Sequence, residues 1–285
     1  MRLGFRTGVV VLIAGASLAL TAQSSSTSST RGPARGSLVL QGGVGPNPAI
    51  DAAFRALAGG PGSHIVLMPT ASLPDTMPPE MMPDVVVFLA RRFKERFGVS
   101  AVTVLHGHDR VRSDTDSFVE PLRRATGVWM MGGFPERLVQ SYLSTKTELA
   151  LRELLDRGGV VGGESAGAMI QGSWLDTTDG EFTPAILKVM QAHAAGGGFG
   201  LMTRTAVFPH FDARGPEAAV KESAAHPDQL AIGIDNESAL IVKGDRVEAV
   251  GPGTVSLYNA SGRGASVVIL RSGERYDLAA RLKLE

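Results

Sequence analysis

Cysteine is absent from all 285 residues of the chain. That absence excludes disulfides, thiolate catalysis and cysteine-ligated zinc together. An excess of either charge is missing as well: 28 Lys and Arg stand against 28 Asp and Glu, a formal net charge of zero. Binding to nucleic acid or to a membrane surface usually draws on a basic excess, so neither partner is expected. Long hydrophobic runs are limited to residues 9–20, twelve positions, too few to span a bilayer comfortably. Arg2 and Arg6 precede this run and Thr21-Ala22-Gln23 follows it, which is the anatomy of a secretory signal peptide. Removal of residues 1–22 is therefore expected, giving a mature protein that is exported, periplasmic or released, with no membrane attachment. Leu20 at the −3 position leaves the cleavage point open, and the lack of a following cysteine rules out a lipid anchor.

Hydrophobic residues make up 44% of the chain and charged residues 20%, enough for the core of one large α/β domain or two small ones. Residues 23–36 are rich in Ser, Thr, Gly and Pro. They read as a disordered spacer because they have little apolar surface to bury. A single domain is expected from residue 37 to residue 285. Short apolar runs at 37–40, 64–70, 101–105, 127–131 and 159–162 alternate with helical patterns at 47–57, 83–97 and 137–156, the last as one helix or two. Near-continuous apolar strands joined by helical crossovers make a parallel sheet covered on both faces. The expected fold class is α/β with flavodoxin-like layering. Short strands at 205–208, 230–234, 238–242, 247–250 and 266–270, with a Gly244-Asp245 hairpin turn, read as a continuation of that sheet with an antiparallel C-terminal extension.

Ligands of parallel sheets bind beyond the carboxyl ends of the strands, and the run at 159–162 leads straight into Gly163-Glu164-Ser165-Ala166-Gly167. A strand, a turn with small residues flanking a serine, then a helix start is the context of a nucleophile elbow, with Ser165 as nucleophile. The Ala166 amide would face the developing oxyanion, and Gly133, from the Gly132-Gly133 end of a neighbouring strand, would supply the second N–H. A helix N-terminus would add positive potential. Serine needs a base. His210 follows the strand 205–208 on the carboxyl side. His193 reads as lying in a flexible loop, His226 as solvated, and His64 as lying on the wrong side of the sheet. The acceptor that orients the base stays open at this level among Glu237, Asp235, Asp212, Glu181 and Asp179. Glu164, beside the nucleophile, reads as a pocket-lining residue able to bind a substrate cation.

Six segments in order carry a resemblance: Leu38-Val39-Leu40-Gln41-Gly42-Gly43, Ile65-Val66-Leu67-Met68-Pro69-Thr70-Ala71-Ser72, Met131-Gly132-Gly133, Gly162-Gly163-Glu164-Ser165-Ala166-Gly167-Ala168, His210-Phe211-Asp212-Ala213-Arg214 and Gly233-Ile234-Asp235-Asn236-Glu237-Ser238-Ala239-Leu240. Over about residues 37 to 262 the chain resembles the cyanophycinase and aspartyl dipeptidase (dipeptidase E) serine peptidases. That resemblance implies a class I glutamine amidotransferase-like fold and a Ser-His-Glu triad of Ser165, His210 and Glu237. The family glutamate directly follows the Asp of its Gly-Ile-Asp segment; here that position holds Asn236, so Glu237 matches one residue on, with Asp179 or Glu181 in reserve. Phe134-Pro135 replaces a polar pair after the Gly-Gly, and Pro216 stands where cyanophycinases carry a second arginine. Arg214 remains and could pair with a substrate carboxylate; Phe134 would line the substrate pocket. The implied substrate is a small acidic peptide or an Asp-Arg polymer, with no metal or cofactor, and a homodimer is allowed. An esterase using the same elbow and a non-catalytic peptide binder are the alternatives.

Overall fold

The computed structural model describes residues 30–178, 180–193, 196–261 and 264–285. The expected signal peptide and the reserve candidate Asp179 lie outside these residues. The strands are β1 (Ser37–Gln41), β2 (His64–Met68), β3 (Ala101–Val104), β4 (Gly127–Met130), β5 (Val160–Glu164), β6 (Thr205–Pro209), β7 (Leu230–Ile234), β8 (Ala239–Lys243), β9 (Arg246–Val250), β10 (Val255–Ser261), β11 (Gly264–Leu270), β12 (Arg275–Asp277) and β13 (Leu282–Leu284). Nine of them form one sheet in the order β13-β12-β9-β8-β1-β5-β4-β2-β3. β1, β5, β4, β2 and β3 are parallel, and β8, β9, β12 and β13 extend the sheet antiparallel from β1.

The period-2 alternation of side chains divides the apolar strands between two cores. Leu38, Leu40, Val66, Met68, Val128, Met130 and Val161 pack on one face against the helices Asp116–Arg124, Pro135–Tyr142 and Lys146–Asp156. Val39, Ile65, Leu67, Trp129 and Val160 pack on the other against Pro48–Leu57 and Met82–Phe97. Local chemistry sets the helix ends. The Asn47 side chain accepts from the Ala49 and Ile50 amides at the start of Pro48–Leu57, and left-handed Gly98 stops Met82–Phe97, as N-caps and C-terminal glycines do. The pattern at 137–156 resolves into two helices, with Ser144 at φ 59° between them.

The structure corrects two expectations. First, β6 and β7 do not continue the main sheet: with β10 and β11 they form a separate four-stranded sheet in the order β11-β10-β7-β6. Val207, Ile232 and Ile234 on its inner face join the first core. The two sheets meet through bare backbone at the end of β1. Gly42 N–H donates to Ser238 O and Gly43 N–H to Asn236 O, both at 2.9 Å. A Cβ on Gly42 would lie 2.3 Å from Asp235 O, and one on Gly43 2.5 Å from Asn236 O. Only glycine permits this approach.

Second, the last residues of the expected spacer belong to the folded body. Arg31 is buried; it donates to the carbonyls of Arg204 and Asp228, and its own amide donates to Asp245. Burial, reinforced by the nearby Arg204 and Arg281, pushes its guanidinium down to about 10. Composition reads the segment as a disordered spacer, but one arginine with three fixed acceptors is enough to anchor its last residues.

Candidate active site

β5 ends at Glu164 and the chain turns sharply into the short helix Ala166–Met169. Ser165, at the turn, takes φ 52° and ψ −116°, a conformation that L-residues avoid and that must be imposed by its surroundings. Its N–H is tied to Gln41 O on β1 at 3.0 Å. The flanking glycines show what does the imposing. A Cβ on Gly163 would lie 2.3 Å from Gly167 O, and a Cβ on Gly167 would lie 2.2 Å from Met130 O on β4. The elbow closes on itself and on the neighbouring strand, so no side chain fits at either position.

His210 follows β6 in the left-handed region, φ 55° and ψ 37°, and its N–H reaches Gly42 O at 3.3 Å. This twist carries the ring over the elbow, where Nε2 lies 2.7 Å from Ser165 Oγ. Ser165 is itself only 8% exposed, so little water competes for that bond.

On the other side of the ring, Nδ1 lies 2.5 Å from Asn236 Oδ1. Asn236 is in turn held by Asp212, whose Oδ1 accepts from the Asn236 amide nitrogens of backbone (3.0 Å) and side chain (2.8 Å). An ionised carboxylate only accepts, so the Asn236 NH2 must face Asp212 and its carbonyl must face His210. Nδ1 then carries the proton and Nε2 is left as the acceptor for the serine hydroxyl. The order Ser165–His210–Asn236–Asp212 thus assigns the tautomer a general base needs.

The expected third member, Glu237, is not there. It is exposed, and its backbone carbonyl accepts from Asn47 Nδ2 at 3.1 Å. Asp235 is turned away into the loop, accepting from Thr254 N and Oγ1. Glu181 is exposed, and its N–H donates to Glu136 Oε1 at 3.2 Å. Asp212 reaches the histidine only through Asn236. His193 follows the helix Pro184–Ala192 directly and is not left loose there: its Nε2 lies 3.1 Å from both carboxylate oxygens of buried Glu148. His64 bonds Thr103 Oγ1 at the amino end of β2, and half-exposed His226 lies 4.0 Å from Glu222.

A cavity of about 280 Å³ opens at the elbow, lined by Ser165, Ala166, Gly133, Phe134, Glu136 and Arg214 among others. Gly133 and Ala166 therefore face the same space as the serine. Ala166 is the first residue of its helix, so its N–H has no intrahelical acceptor. That helix has four residues, so its dipole adds little and the amide itself is what remains. The exposed Phe134 ring stacks 4.5 Å from the Arg137 guanidinium at the cavity mouth.

Glu164 does not line this cavity. Period-2 alternation puts residues 160, 162 and 164 on the Trp129 face of the sheet. There the 3%-exposed Glu164 pairs with Arg96 at 2.8 Å, and Arg96 Nε also holds Asp51 at 2.9 Å. Arg96 lies over Phe93, Phe97 and Trp129 at 5.0–5.3 Å from their centroids. Burial pushes the Asp51 carboxyl up in spite of its arginine. Removing the shared cation strands two buried carboxylates. We expect Arg96→Met to cost about 3–5 kcal/mol in urea unfolding, against much less for an exposed arginine such as Arg124.

Among the described residues no group of three or more His, Asp or Glu is placed to hold a metal ion. The architecture is that of the class I glutamine amidotransferase-like proteins, carrying a serine and a histidine in hydrogen-bond contact at a strand-to-helix elbow. The family model of peptidase family S51 matches residues 38–250, and the chain belongs to that family. It is 29% identical over 211 residues to the cyanophycinase of Geminocystis herdmanii, spanning 72% of this chain and 73% of that protein. Similarity to the cyanophycinase of Synechococcus elongatus is 28% over 209 residues, spanning 72% of this chain and 62% of that one. The solved structure of a peptidase from an acI-B1 Actinobacterium superposes with a TM-score of 0.66 at 24% identity, covering 87% of this chain and 98% of the other. The protein is accordingly a peptidase of the serine type.

Proposed function

We propose that this protein hydrolyses amide or isopeptide bonds in small acidic peptides or an Asp-Arg polymer through an acyl-enzyme on Ser165. The 2.7 Å contact between Ser165 Oγ and His210 Nε2 at the elbow carries this reading. His210 Nε2 takes the hydroxyl proton as Oγ attacks the scissile carbonyl. The tetrahedral oxyanion is held by the N–H groups of Ala166 and Gly133. His210 then gives its proton to the departing amine, leaving the ester on Ser165. Water enters, loses a proton to Nε2, and attacks the ester; the second tetrahedral intermediate collapses and the proton returns to Oγ. Asn236, backed by Asp212, keeps Nδ1 protonated throughout. Arg214, on the cavity wall, suits the carboxylate of an acidic substrate. Similarity to cyanophycinases is what brings the Asp-Arg polymer into the substrate class. Export to the periplasm or medium is part of the proposal, and rests on residues 1–22.

The test is a substrate panel on the mature protein: Asp-Arg polymer, Asp-Xaa dipeptides and p-nitrophenyl esters, with fluorophosphonate labelling of Ser165. Turnover of amides with labelling at Ser165 is expected. Ester turnover alone would make the protein an esterase, and absence of labelling would make it a binding protein.

A further inference from the structure

One carboxylate on the cavity wall has no role in the chemistry above. Glu136 lies in the first turn of the helix Pro135–Tyr142 and is 5% exposed. Its Oε1 accepts from Glu181 N–H at 3.2 Å, while its Oε2 is buried without a hydrogen-bond partner. No cation pairs with it among the described residues. The adjacent Arg137 is turned away, donating to Ala71 O and lying over the Phe134 ring. Gly180 lines the same cavity and leaves Oε2 uncovered by any side chain of its own; a Cβ there would stand 3.3 Å from that oxygen. Asp176, whose Oδ1 is occupied by Thr178, adds a second carboxylate to the wall.

A buried carboxylate is costly to leave unpaired. The cost is sustained where a ligand completes the pair, which is why such groups mark binding sites. We propose that Glu136 is a specificity-determining residue that receives a cationic side chain, guanidinium or ammonium, of the substrate residue beside the bond cut at Ser165. This deepens the function proposed above and rests on it. It also moves the cation-binding role expected of Glu164 to a residue that faces the cavity. The wall then offers carboxylates at Glu136 and Asp176 and a guanidinium at Arg214. A residue carrying both a cation and a carboxylate, such as arginine at a peptide end, matches both signs within a volume of about 280 Å³.

The competing role for Glu136 is structural: it holds Glu181 N–H and faces the helix start. Glu136→Gln separates the two, because its amide oxygen can still accept from Glu181 while its charge is gone. In the wild type, β-aspartyl-arginine and β-aspartyl-lysine should be cleaved with kcat/KM roughly 10- to 100-fold above β-aspartyl-citrulline, as expected for a charge-assisted pair in a partly closed site. In Glu136→Gln that ratio should fall to within about threefold of unity, mostly through KM, with fluorophosphonate labelling of Ser165 unchanged. A ratio near unity in the wild type, or one unaltered by Glu136→Gln, overturns the proposal. A second arm does not need turnover. In calorimetric titration, agmatine should bind Ser165→Ala and lose at least tenfold in affinity to Ser165→Ala/Glu136→Gln. Equal agmatine affinity for the two variants overturns the cation site even where Ser165 proves to be the nucleophile. Loss of affinity in the double variant upholds the site even where Ser165 proves not to be.

Discussion

Ser165→Ala should lower hydrolysis roughly 10,000-fold or more, with fluorophosphonate labelling abolished and the urea unfolding curve almost unchanged. The size of the loss follows from the division of labour at the elbow. Without Oγ there is no nucleophile for His210 Nε2 to activate, and what remains is binding plus the Ala166 and Gly133 amides, which act on an ordinary water. Stability should hold because the strain at Ser165 is backbone strain, φ 52° and ψ −116°. It is borne by the Gly163–Gly167 and Gly167–Met130 contacts, which alanine leaves in place. Alanine loses one hydrogen bond, at a net cost of about 1 kcal/mol. Activity retained above a few per cent of wild type would remove Ser165 from the mechanism.

The second large effect concerns the residue behind the histidine. Asn236→Ala should lower kcat about 100- to 1,000-fold with KM little changed, because the imidazole loses the acceptor that keeps Nδ1 protonated and the ring aimed at Oγ. Glu237→Gln should change kcat less than twofold, since Glu237 is exposed and His210 Nδ1 is already met by Asn236 Oδ1. Equal losses in the two variants would restore Glu237 as the third member. Asn236→Asp is a sharper probe. It would place a carboxylate against Asp212, now 2.8 Å from Asn236 Nδ2, and like charges at that distance push one of the two to take up a proton. The single variant should therefore lose activity despite its carboxylate. The exchange Asp212→Asn with Asn236→Asp should recover much of it, since the ring would again meet an acceptor backed by a donor. A double variant as poor as Asn236→Asp alone would show that Asp212 does not act through Asn236.

Much of the fold was legible because its signals are local. The five parallel strands announce themselves as short apolar runs ending in glycine or polar turns, and β-strand alternation then requires two cores. The elbow was legible for a similar reason: a serine between small residues, directly after a strand, admits few conformations. His210 was legible from its place at the end of β6. What misled was the assumption that β6 and β7 extend the first sheet. A strand's apolar pattern states that it is buried, not which sheet pairs with it. Glu164 reads as pocket-lining from its place beside Ser165, yet counting by twos from Val160 assigns it to the side of Trp129.

The sequence by itself determined the tight strand-to-helix turn at Ser165, the place of His210 at the end of β6, and the layered α/β scaffold, since each is written in residues a few positions apart. Only the tertiary structure decided which side chain of the 234–238 turn meets the histidine. That choice depends on how the second sheet docks on Gly42 and Gly43, where a shift of one residue exchanges Asn236 for Glu237. It also decided that Glu136, unremarkable in its helix, lines the same cavity as Ser165 with an oxygen that has no hydrogen-bond partner. A turn's composition constrains its backbone, but the partner of a side chain is set by packing between segments that sequence spacing does not measure.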